Sequence, residues 1–393
     1  MFDLPQSFLI LPNPKSNAFS KTLRKTRLQS LRFLLQTPIS NIPREYQQSI
    51  IQLRPLILQV LKLHPERVVA SIGKQDIFSA LILLQKNQGN PSLLWKQAIV
   101  SLLFQLQTLP EDFLWTHPIK QIILDDDVIE FEEAISFLSI GPLGISGQRS
   151  QGAILSWDEL KNTGKSTHPF TRLSENIYFS LFDSNPFSME EAHPDKAGNQ
   201  LQLGGYSIEE WCNVLLQSMA LIEEYLPEWW SEFPLFMNRI VPVGFYPQKH
   251  LSASYAESPG LAYLSLHPDL LTMTEALIHE SQHSKINLLR LLDPVLHNGL
   301  SEWTTSPVRP DMRPLHGVLL AAHAFVPVAA LHHRLEKKGH PLTKTPEFQR
   351  RRKEILQKNQ EAITTIKEKG QPSKIGDAII KGLEALHIAT ASV

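Results

Sequence analysis

One apolar segment in the C-terminal half constrains the fold of this chain more than any other feature. Apolar side chains recur at helical spacing across Thr272–Leu292, before Asp293 and Pro294 interrupt the pattern. The segment predicts a long helix whose cap is Thr274. A strand-like segment, Gly260–Leu266, directly precedes it, which places the predicted helix next to a small sheet.

The centre of this predicted helix contains the sequence His-Glu-Ser-Gln-His at positions 279–283. Two histidines four residues apart lie one turn apart on the same helix face, so His279 and His283 can both reach one metal ion. Glu280 lies about 100° around the helix from His279, where its carboxylate would contact a metal-bound water. The alternative is a surface helix with coincidental histidines, which the apolar surroundings disfavour.

A third metal ligand must come from elsewhere in the chain. His316 and His323 lie seven residues apart on a second predicted helix, Pro314–Leu335, and therefore share nearly one face. We expect His323 to be the ligand, because it lies in the middle of the helix where its position is rigid. His316 stays open as an alternative, and so do the carboxylates of Glu302 and Asp311.

The segment between these two helices carries a pair of arginines. Arg309 and Arg313 lie within Ser306–Leu315, which three prolines stiffen. A guanidinium group binds a carboxylate through two parallel hydrogen bonds, so the pair predicts an anion-binding fork. The structural alternative is that these arginines pair with Asp311 or with the acidic run 125–127.

The bulk composition excludes several classes of protein. A chain of 393 residues, 42% of them hydrophobic, can bury a full core and is expected to form two packed domains. Its net charge of −1 gives no indication of a nucleic-acid or membrane-surface partner. The single cysteine, Cys212, excludes an intrachain disulfide and a cysteine-rich zinc module. The sequence shows no secretory signal and no apolar run of membrane length, so we expect a cytoplasmic protein.

The chain divides into two regions that differ in the spacing of their apolar residues. In residues 1–118, apolar residues recur at helical spacing between dividing prolines such as Pro55 and Pro65, which predicts an all-helical N-terminal region. Residues 119–393 add short strand-like segments and form the expected metal-binding catalytic domain; the segments on either side of 257–260 are predicted to pair as a hairpin. The expected fold is α+β and mainly helical, with a zincin-like metal helix beside a small β-sheet.

Several short motifs between about residues 180 and 335 form a set. They are Asn185-Pro186-Phe187, His193-Pro194-Asp195-Lys196, Ser252-Ala253-Ser254, the Leu277–Asn287 segment around the two histidines, Arg309–Leu315 and the Gly317–Phe325 helix. As a set they resemble the HExxH-type peptide-modification proteins that are encoded beside ribosomally made natural-product precursors. That family consists of iron(II)- and α-ketoglutarate-dependent peptide β-hydroxylases. The resemblance is diffuse at the N-terminus.

The resemblance implies an iron centre on the predicted metal helix. His279 and His283 would hold Fe(II), and His323 or His316 would complete the ligand set. This arrangement departs from the usual two-histidine, one-carboxylate set of such oxygenases. The departure leaves the role of Glu280 open.

The resemblance also implies a cosubstrate and a partner. Arg309 or Arg313 would anchor the distal carboxylate of 2-oxoglutarate (α-ketoglutarate), and Val308 stands where the family has tryptophan. The implied partner is a ribosomally synthesised precursor peptide, which would be hydroxylated at a side-chain β carbon.

Two other functions compete with the hydroxylase. In a zinc metallopeptidase, Glu280 would act as the general base that deprotonates a metal-bound water. The paired arginines and the lack of a standard third-ligand spacing disfavour the peptidase. The second alternative is a non-catalytic peptide-binding protein. Its metal would be structural, with four protein ligands that leave no open coordination position.

Overall fold

The structure of the chain is a computed structural model that describes most of its length. The described residues are 18–124, 127–149, 152–189, 198–306 and 311–391. Four features singled out in the sequence lie wholly or partly outside these ranges: Val308, Arg309, the motif at 193–196 and the acidic run 125–127. The roles assigned to Val308 and Arg309 therefore stay predictions.

The described chain divides into two compact units. The first contains the described residues of 24–171 and 180–198, and the second contains residues 18–23, 172–179 and the described residues from 199 onward. These two units are defined by which residues lie close together in space. The predicted regions 1–118 and 119–393 were defined by the spacing of apolar residues along the sequence. That division by sequence stays a prediction.

Five helices open the described chain. They are α1 (Ala18–Gln36), α2 (Arg44–Leu63), α3 (Pro65–Ile72), α4 (Gln75–Gln85) and α5 (Pro91–Leu106), with a short 3-10 helix at Ile39–Asn41. Pro65 and Pro91 occupy the first positions of α3 and α5, where no backbone N–H is needed. Pro55 lies inside α2, so the prediction that it divides this region was wrong. Burial of Leu53 and Leu56 on either side outweighs the cost of the proline.

A six-stranded antiparallel sheet follows these helices. Its strands are β1 (Phe113–Trp115), β2 (Ile119–Leu124), β3 (Asp127–Gly141), β4 (Gly144–Arg149), β5 (Leu155–Ser156) and β6 (Lys165–Thr167), with α6 (Trp157–Thr163) between the last two. The long strand β3 pairs with β1, β2, β4 and β6. Because Phe113 and Trp115 are buried and Leu114 is exposed, β1 has the alternation of a strand, and residues 1–118 are not all-helical as expected.

The second unit is built on a five-stranded sheet. Its strands are β7 (Phe170–Ser174), β8 (Ile177–Ser180), β9 (Arg239–Phe245), β10 (Ser252–Ser254) and β11 (Leu261–Leu266), in the spatial order β10-β11-β9-β8-β7. Strands β10 and β11 pair antiparallel, so the predicted hairpin is confirmed. Strand β9 is parallel to both β11 and β8. Every residue of β11 is buried, as expected for a strand covered on both faces.

Helices cover this sheet and complete the second unit. They are α7 (Ile208–Tyr225), α8 (Pro227–Trp230), α9 (Phe233–Phe236), α10 (Leu270–Arg290), α11 (Leu315–Lys337), α12 (Pro346–Lys369) and α13 (Lys374–Ala391), with a 3-10 helix at Pro341–Lys344 and the short strand pair β12 (Trp303–Thr305) and β13 (Met312–Pro314). Helix α10 contacts α7, α9, α11 and the strands β10 and β11. The protein is α+β and mainly helical, as predicted.

The start of α10 differs from the prediction. Asp269 is the cap, and its carboxylate accepts hydrogen bonds from the backbone N–H groups of Leu271 and Thr272. Thr274 lies inside the first turn, where its hydroxyl donates to the Leu270 carbonyl. The predicted cap at Thr274 was wrong because an aspartate one turn earlier satisfies the free N–H groups of the helix start.

The Ser-Pro-Gly turn before β11 attaches the sheet to α10. Gly260 has φ +89°, a left-handed conformation that favours glycine. Its N–H donates to the Ser284 hydroxyl in the middle of α10 at 3.1 Å, and its carbonyl accepts from the N–H groups of Asn238 and Arg239. The turn therefore fixes α10 to both parallel strands at once.

Helix α11 is long and apolar enough to cross a membrane, but it lies in the interior of the protein. Within its most apolar window, 83% of the helix is buried. The bent pair of α3 and α4 passes the same test only if both helices are taken together. The burial of α11 is that of a core helix.

A buried ion pair holds α10 on another side. Lys285 Nζ lies 2.9 Å from a Glu232 carboxylate oxygen, and the two side chains are 2% and 9% exposed. Burial raises the pKa of Glu232 to about 7 against the opposing effect of Lys285, and burial likewise lowers the pKa of Lys285. Desolvation therefore outweighs the attraction between the two charges.

We expect Glu232→Gln to lower the free energy of unfolding by about 3–5 kcal/mol, because it removes the carboxylate that neutralises a buried ammonium. The double variant Glu232→Leu/Lys285→Met removes both charges, so its stability should equal or exceed that of the wild type. Urea unfolding followed by circular dichroism measures both values. Equal losses in the single and double variants would contradict this account.

Candidate metal centre

Helix α10 is buried along nearly its whole length, and the side chains that retain exposure form one stripe. From Leu271 to Arg290, the partly exposed residues are Thr272, His279, His283 and Arg290. They are separated by seven, four and seven residues, which are the spacings of a single helix face. We call these four residues the open stripe. It is the one accessible face of a helix that is otherwise enclosed.

The two histidines of the predicted motif lie side by side on the open stripe. Their ring centroids are 4.2 Å apart, and the rings meet edge to face at 77°. Burial lowers the pKa of His279 well below its ordinary value, and the nearby charges of His283 and Arg351 lower it further. His279 is therefore a neutral imidazole at pH 7, which is the form that binds a metal.

Glu280 lies on the same helix but outside the open stripe. It is 2% exposed, and its Oε2 atom has no hydrogen-bond partner within the described residues. A buried carboxylate oxygen without a partner is costly, so its presence beside two histidines fits a cation or a metal-bound water in their vicinity.

Polar contacts at both ends of the helix pair set the register between α10 and α11. Arg290 Nη1 lies 2.8 Å from His316 Nε2, where α10 ends and α11 begins. Glu275 Oε1 lies 2.8 Å from His332 Nε2 near the opposite ends of the two helices. The helices therefore run antiparallel.

This register brings the predicted third ligand toward the pair. His283 and His323 each lie seven residues inward from the contact between Arg290 and His316. Because both helices rise equally per residue, His283 and His323 stand at the same level along the helix pair. His323 is 2% exposed, as expected for a side chain facing the interior.

His316 is engaged elsewhere. Its Nε2 atom accepts the hydrogen bond from Arg290, because a guanidinium group has only donors. Burial, followed by the charges of Arg290 and His283, lowers the pKa of His316 to about 3, so this imidazole stays neutral. A metal ligand at His316 would have to use its other nitrogen.

Within the part of the chain that the structure describes, no three His, Cys, Asp or Glu side chains lie close enough together to hold one metal ion. The histidine pair is thus the part of the predicted ligand set that the fold brings together. Two imidazoles can occupy two positions of a transition-metal ion such as Fe(II) or Zn(II). His323 stays a predicted third ligand.

The other residues predicted for the site lie on the connection between the helices. Arg313 Nε donates to Asp311 Oδ2 at 3.1 Å, which is the structural alternative considered for this pair. Glu302 directly precedes β12 and is partly exposed. Arg313 and Asp311 are therefore paired with each other at the surface, and Arg309 lies outside the described residues.

A buried network that the motif search missed lies one turn before His279. Glu275 accepts hydrogen bonds from His332 Nε2 and Arg351 Nη2, both at 2.8 Å. Burial alone would raise the pKa of Glu275, but His332 and Arg351 together lower it. The Arg351 guanidinium lies 5.8 Å from the ring centroid of Phe325, which in turn lies 4.7 Å from that of His279. These contacts hold the His279 ring in place.

Sequence reasoning also missed two residues near the pair. His250 lies close enough for its charge to lower the pKa of His279, and its Nδ1 atom is 3.3 Å from the Ser265 hydroxyl. The spacing of residues in the sequence does not indicate His250, because it comes close to His279 only through the folding of the segment that leads into β10. Arg290 was detectable, since it follows His283 by the same seven residues that repeat a helix face.

The chain matches no protein-family model, and no curated protein matches it. The resemblance carried by the short motifs therefore stays a hypothesis.

We expect His279→Ala and His283→Ala each to weaken binding of cobalt(II) by more than about 100-fold, because loss of an outer-shell partner alone costs 10–100-fold. His297→Ala, at an exposed position after α10, is the matched control. Calorimetric titration of the metal-free protein measures these affinities. Unchanged affinity in both variants would contradict a metal site here, and His323→Ala in the same series tests the third ligand.

Proposed function

We propose that this protein is an Fe(II)- and 2-oxoglutarate-dependent oxygenase that hydroxylates a side-chain β carbon in a ribosomally made precursor peptide. The observation that carries the proposal is the open stripe, on which two histidines and one arginine share the accessible face of a buried helix. Such a face offers ligands for a metal and a cation for an acid within one site. The motif set described from the sequence supports the same function.

The metal would be held by His279, His283 and His323. Imidazole ligands suit iron, and three protein ligands leave positions for the cosubstrate. When bound, the iron and 2-oxoglutarate supply the oxidative chemistry, and the protein supplies geometry. Its own part is to keep the His279 imidazole neutral by burial and to orient it. The Phe325 ring packs against the His279 ring, and Arg351, which Glu275 holds, packs against Phe325.

The peptide substrate fits the edge of the five-stranded sheet. Strand β10, Ser252–Ser254, lies at this edge and contacts the metal helix. An extended peptide can add to such an edge through backbone hydrogen bonds, which bind many side-chain sequences equally well. A peptide added at this edge would lie beside the strand that contacts α10. We place the reaction in the cytoplasm, where the precursor is made.

One observation favours a second candidate, a zinc metallopeptidase. The buried Oε2 atom of Glu280 has no hydrogen-bond partner within the described residues, and a general base that acts on a metal-bound water would need such a free oxygen. The same atom in an oxygenase would contact the metal's solvent ligand without taking part in the reaction.

The proposed function predicts a visible spectrum. Adding iron(II) and 2-oxoglutarate without oxygen to the metal-free protein should produce a weak charge-transfer band, because the 2-oxo acid would chelate a metal held by the histidines. The band should be lost in His279→Ala. Absence of the band in the wild type, together with tight zinc binding and cleavage of test peptides, would assign the peptidase instead.

Glu280→Gln separates the two functions. A peptidase loses essentially all turnover without its general base, whereas a hydroxylase needs no base at this position and should retain most of its activity. Glu209→Gln, at an exposed position in the first turn of α7, is the control for removal of one carboxylate. The measurements are single-turnover succinate formation and cleavage of test peptides. Near-complete loss of both would contradict the role given to Glu280 in the hydroxylase.

A further inference from the structure

Helix α2 has a solvent-exposed face that carries no charge between the two ends of the helix. The charged residues of this helix are Arg44, Glu45, Arg54 and Lys62. Arg54 is the one that lies between the ends, and its guanidinium is turned toward the end of α1, where it donates to the carbonyls of Leu34 and Thr37. The exposed side chains between Glu45 and Lys62 are therefore all uncharged.

These exposed side chains form one stripe along α2. One or two of them fall in every turn, so they share a single side of the helix. They are Gln48, Ile51, Gln52, Pro55, Leu58 and Gln59, which we call the α2 face. Ile51 is 49% exposed and Leu58 is 44% exposed, so large apolar side chains lie open to solvent in the middle of the face.

The composition of the α2 face differs from that of a helix side that stays in water. Such a side is normally lined with charged residues, as on α12, where Arg350, Lys353 and Glu361 are exposed. Single exposed apolar residues are common on protein surfaces. Three in line, flanked by amides and without a charge, instead match the centre of a protein interface, from which charged residues are depleted.

The α2 face is complementary to a second copy of itself. In a symmetric contact the same surface is used by both copies, so a face with charges of one sign would repel its counterpart. Apolar side chains pack against apolar side chains, and a glutamine amide both donates and accepts hydrogen bonds, so two identical glutamines can pair. Ile51 and Leu58 lie four and three residues on either side of Pro55. An antiparallel pair centred on Pro55 therefore brings Ile51 of each copy opposite Leu58 of the other.

The charges at the ends of α2 favour this antiparallel direction. The start of the helix carries one charge of each sign, Arg44 and Glu45, and its end carries Lys62. A hydrogen bond from the Ser92 hydroxyl lowers the pKa of Glu45, so this exposed carboxylate is charged at neutral pH. Antiparallel packing around Pro55 brings Lys62 of one copy within about one turn of Glu45 of the other. Parallel packing would place each of these charges beside its own copy.

We propose that the α2 face is the contact of a homodimer in which two α2 helices pack antiparallel around a two-fold axis at Pro55. The contact lies within the first compact unit and contains none of the residues of the candidate metal centre. It is therefore independent of the proposed function. Because a contact built on one helix face is small, we expect a dissociation constant of about micromolar magnitude.

The mass of the full-length chain in solution tests this inference without any ligand. One chain has a mass of 44.6 kDa, and the dimer has twice that mass. Sedimentation velocity is measured over a concentration series up to about 100 µM, which saturates a contact of micromolar dissociation constant. Wild-type protein should shift from the mass of one chain to that of two as the concentration rises. It should go no further, because a two-fold contact is closed.

A single substitution on the α2 face should dissociate the dimer. Leu58→Glu should raise the dissociation constant at least about 100-fold, because it places a carboxylate without a partner against Ile51 of the other copy. Circular dichroism and urea unfolding check that the variant is folded. Leu216→Glu is the matched control, since Leu216 lies on α7 and is 43% exposed. It should dimerise as the wild type does.

The double variant Ile51→Lys/Leu58→Glu determines the direction of the helices. In an antiparallel pair each introduced ammonium lies opposite an introduced carboxylate of the other copy, so at least about tenfold of the lost affinity should return. In a parallel pair the like charges would meet, and affinity would fall further. The same variant decides the matter if Leu58→Glu does not fold, because it balances the introduced charge.

Four results would overturn the inference. A mass of one chain at every concentration means that the α2 face does not bind a second copy. A dimer that Leu58→Glu leaves intact, or that Leu216→Glu weakens equally, does not depend on this face. A mass above two chains contradicts a two-fold contact. A double variant that recovers no affinity contradicts the antiparallel pair.

Discussion

The antiparallel packing of α10 against α11 is the interaction on which the rest of this structure depends. A polar contact joins the two helices near each end: Arg290 with His316 at one end and Glu275 with His332 at the other. Because both ends are fixed, each residue in the middle of α10 stands opposite a defined residue of α11. The histidine pair, the Phe325 ring and the predicted third ligand His323 are all placed by this register. The sheet adds a second constraint through Gly260, which attaches the middle of α10 to the strands.

Local sequence patterns were enough to predict the parts of the fold that local forces create. The apolar spacing of 272–292 predicted helix α10 to within two residues at either end, and the i,i+4 spacing predicted that His279 and His283 lie side by side. The turn around 257–260 likewise predicted the hairpin of β10 and β11. The cap was misplaced because Thr274 and Asp269 are both favourable cap residues. Only the backbone geometry shows which of them meets the free N–H groups.

The same local patterns could not predict contacts between residues that are far apart in the sequence. Glu275, His332 and Arg351 come from three helices, and nothing in their local sequence indicates that they meet. The parallel pairing of β9 with β11 depends on how the chain crosses over, which strand composition does not encode. Arg290 lay at a visible spacing from His283, but its contact with His316 depends on how α10 packs against α11, which the sequence does not show.

The ion pair between Lys285 and Glu232 has a consequence for the orientation of α10. Lys285 follows His283 by two residues, or about 200° around the axis, so the ion pair and the histidines face nearly opposite directions. Rotating the helix by the angle of one residue would separate a buried ammonium from its carboxylate and turn both imidazoles into the core. The ion pair therefore prevents rotation of α10 about its axis. It fixes the direction of both histidine side chains from the opposite, buried side of the helix, which a ligand bound at the histidines would not contact.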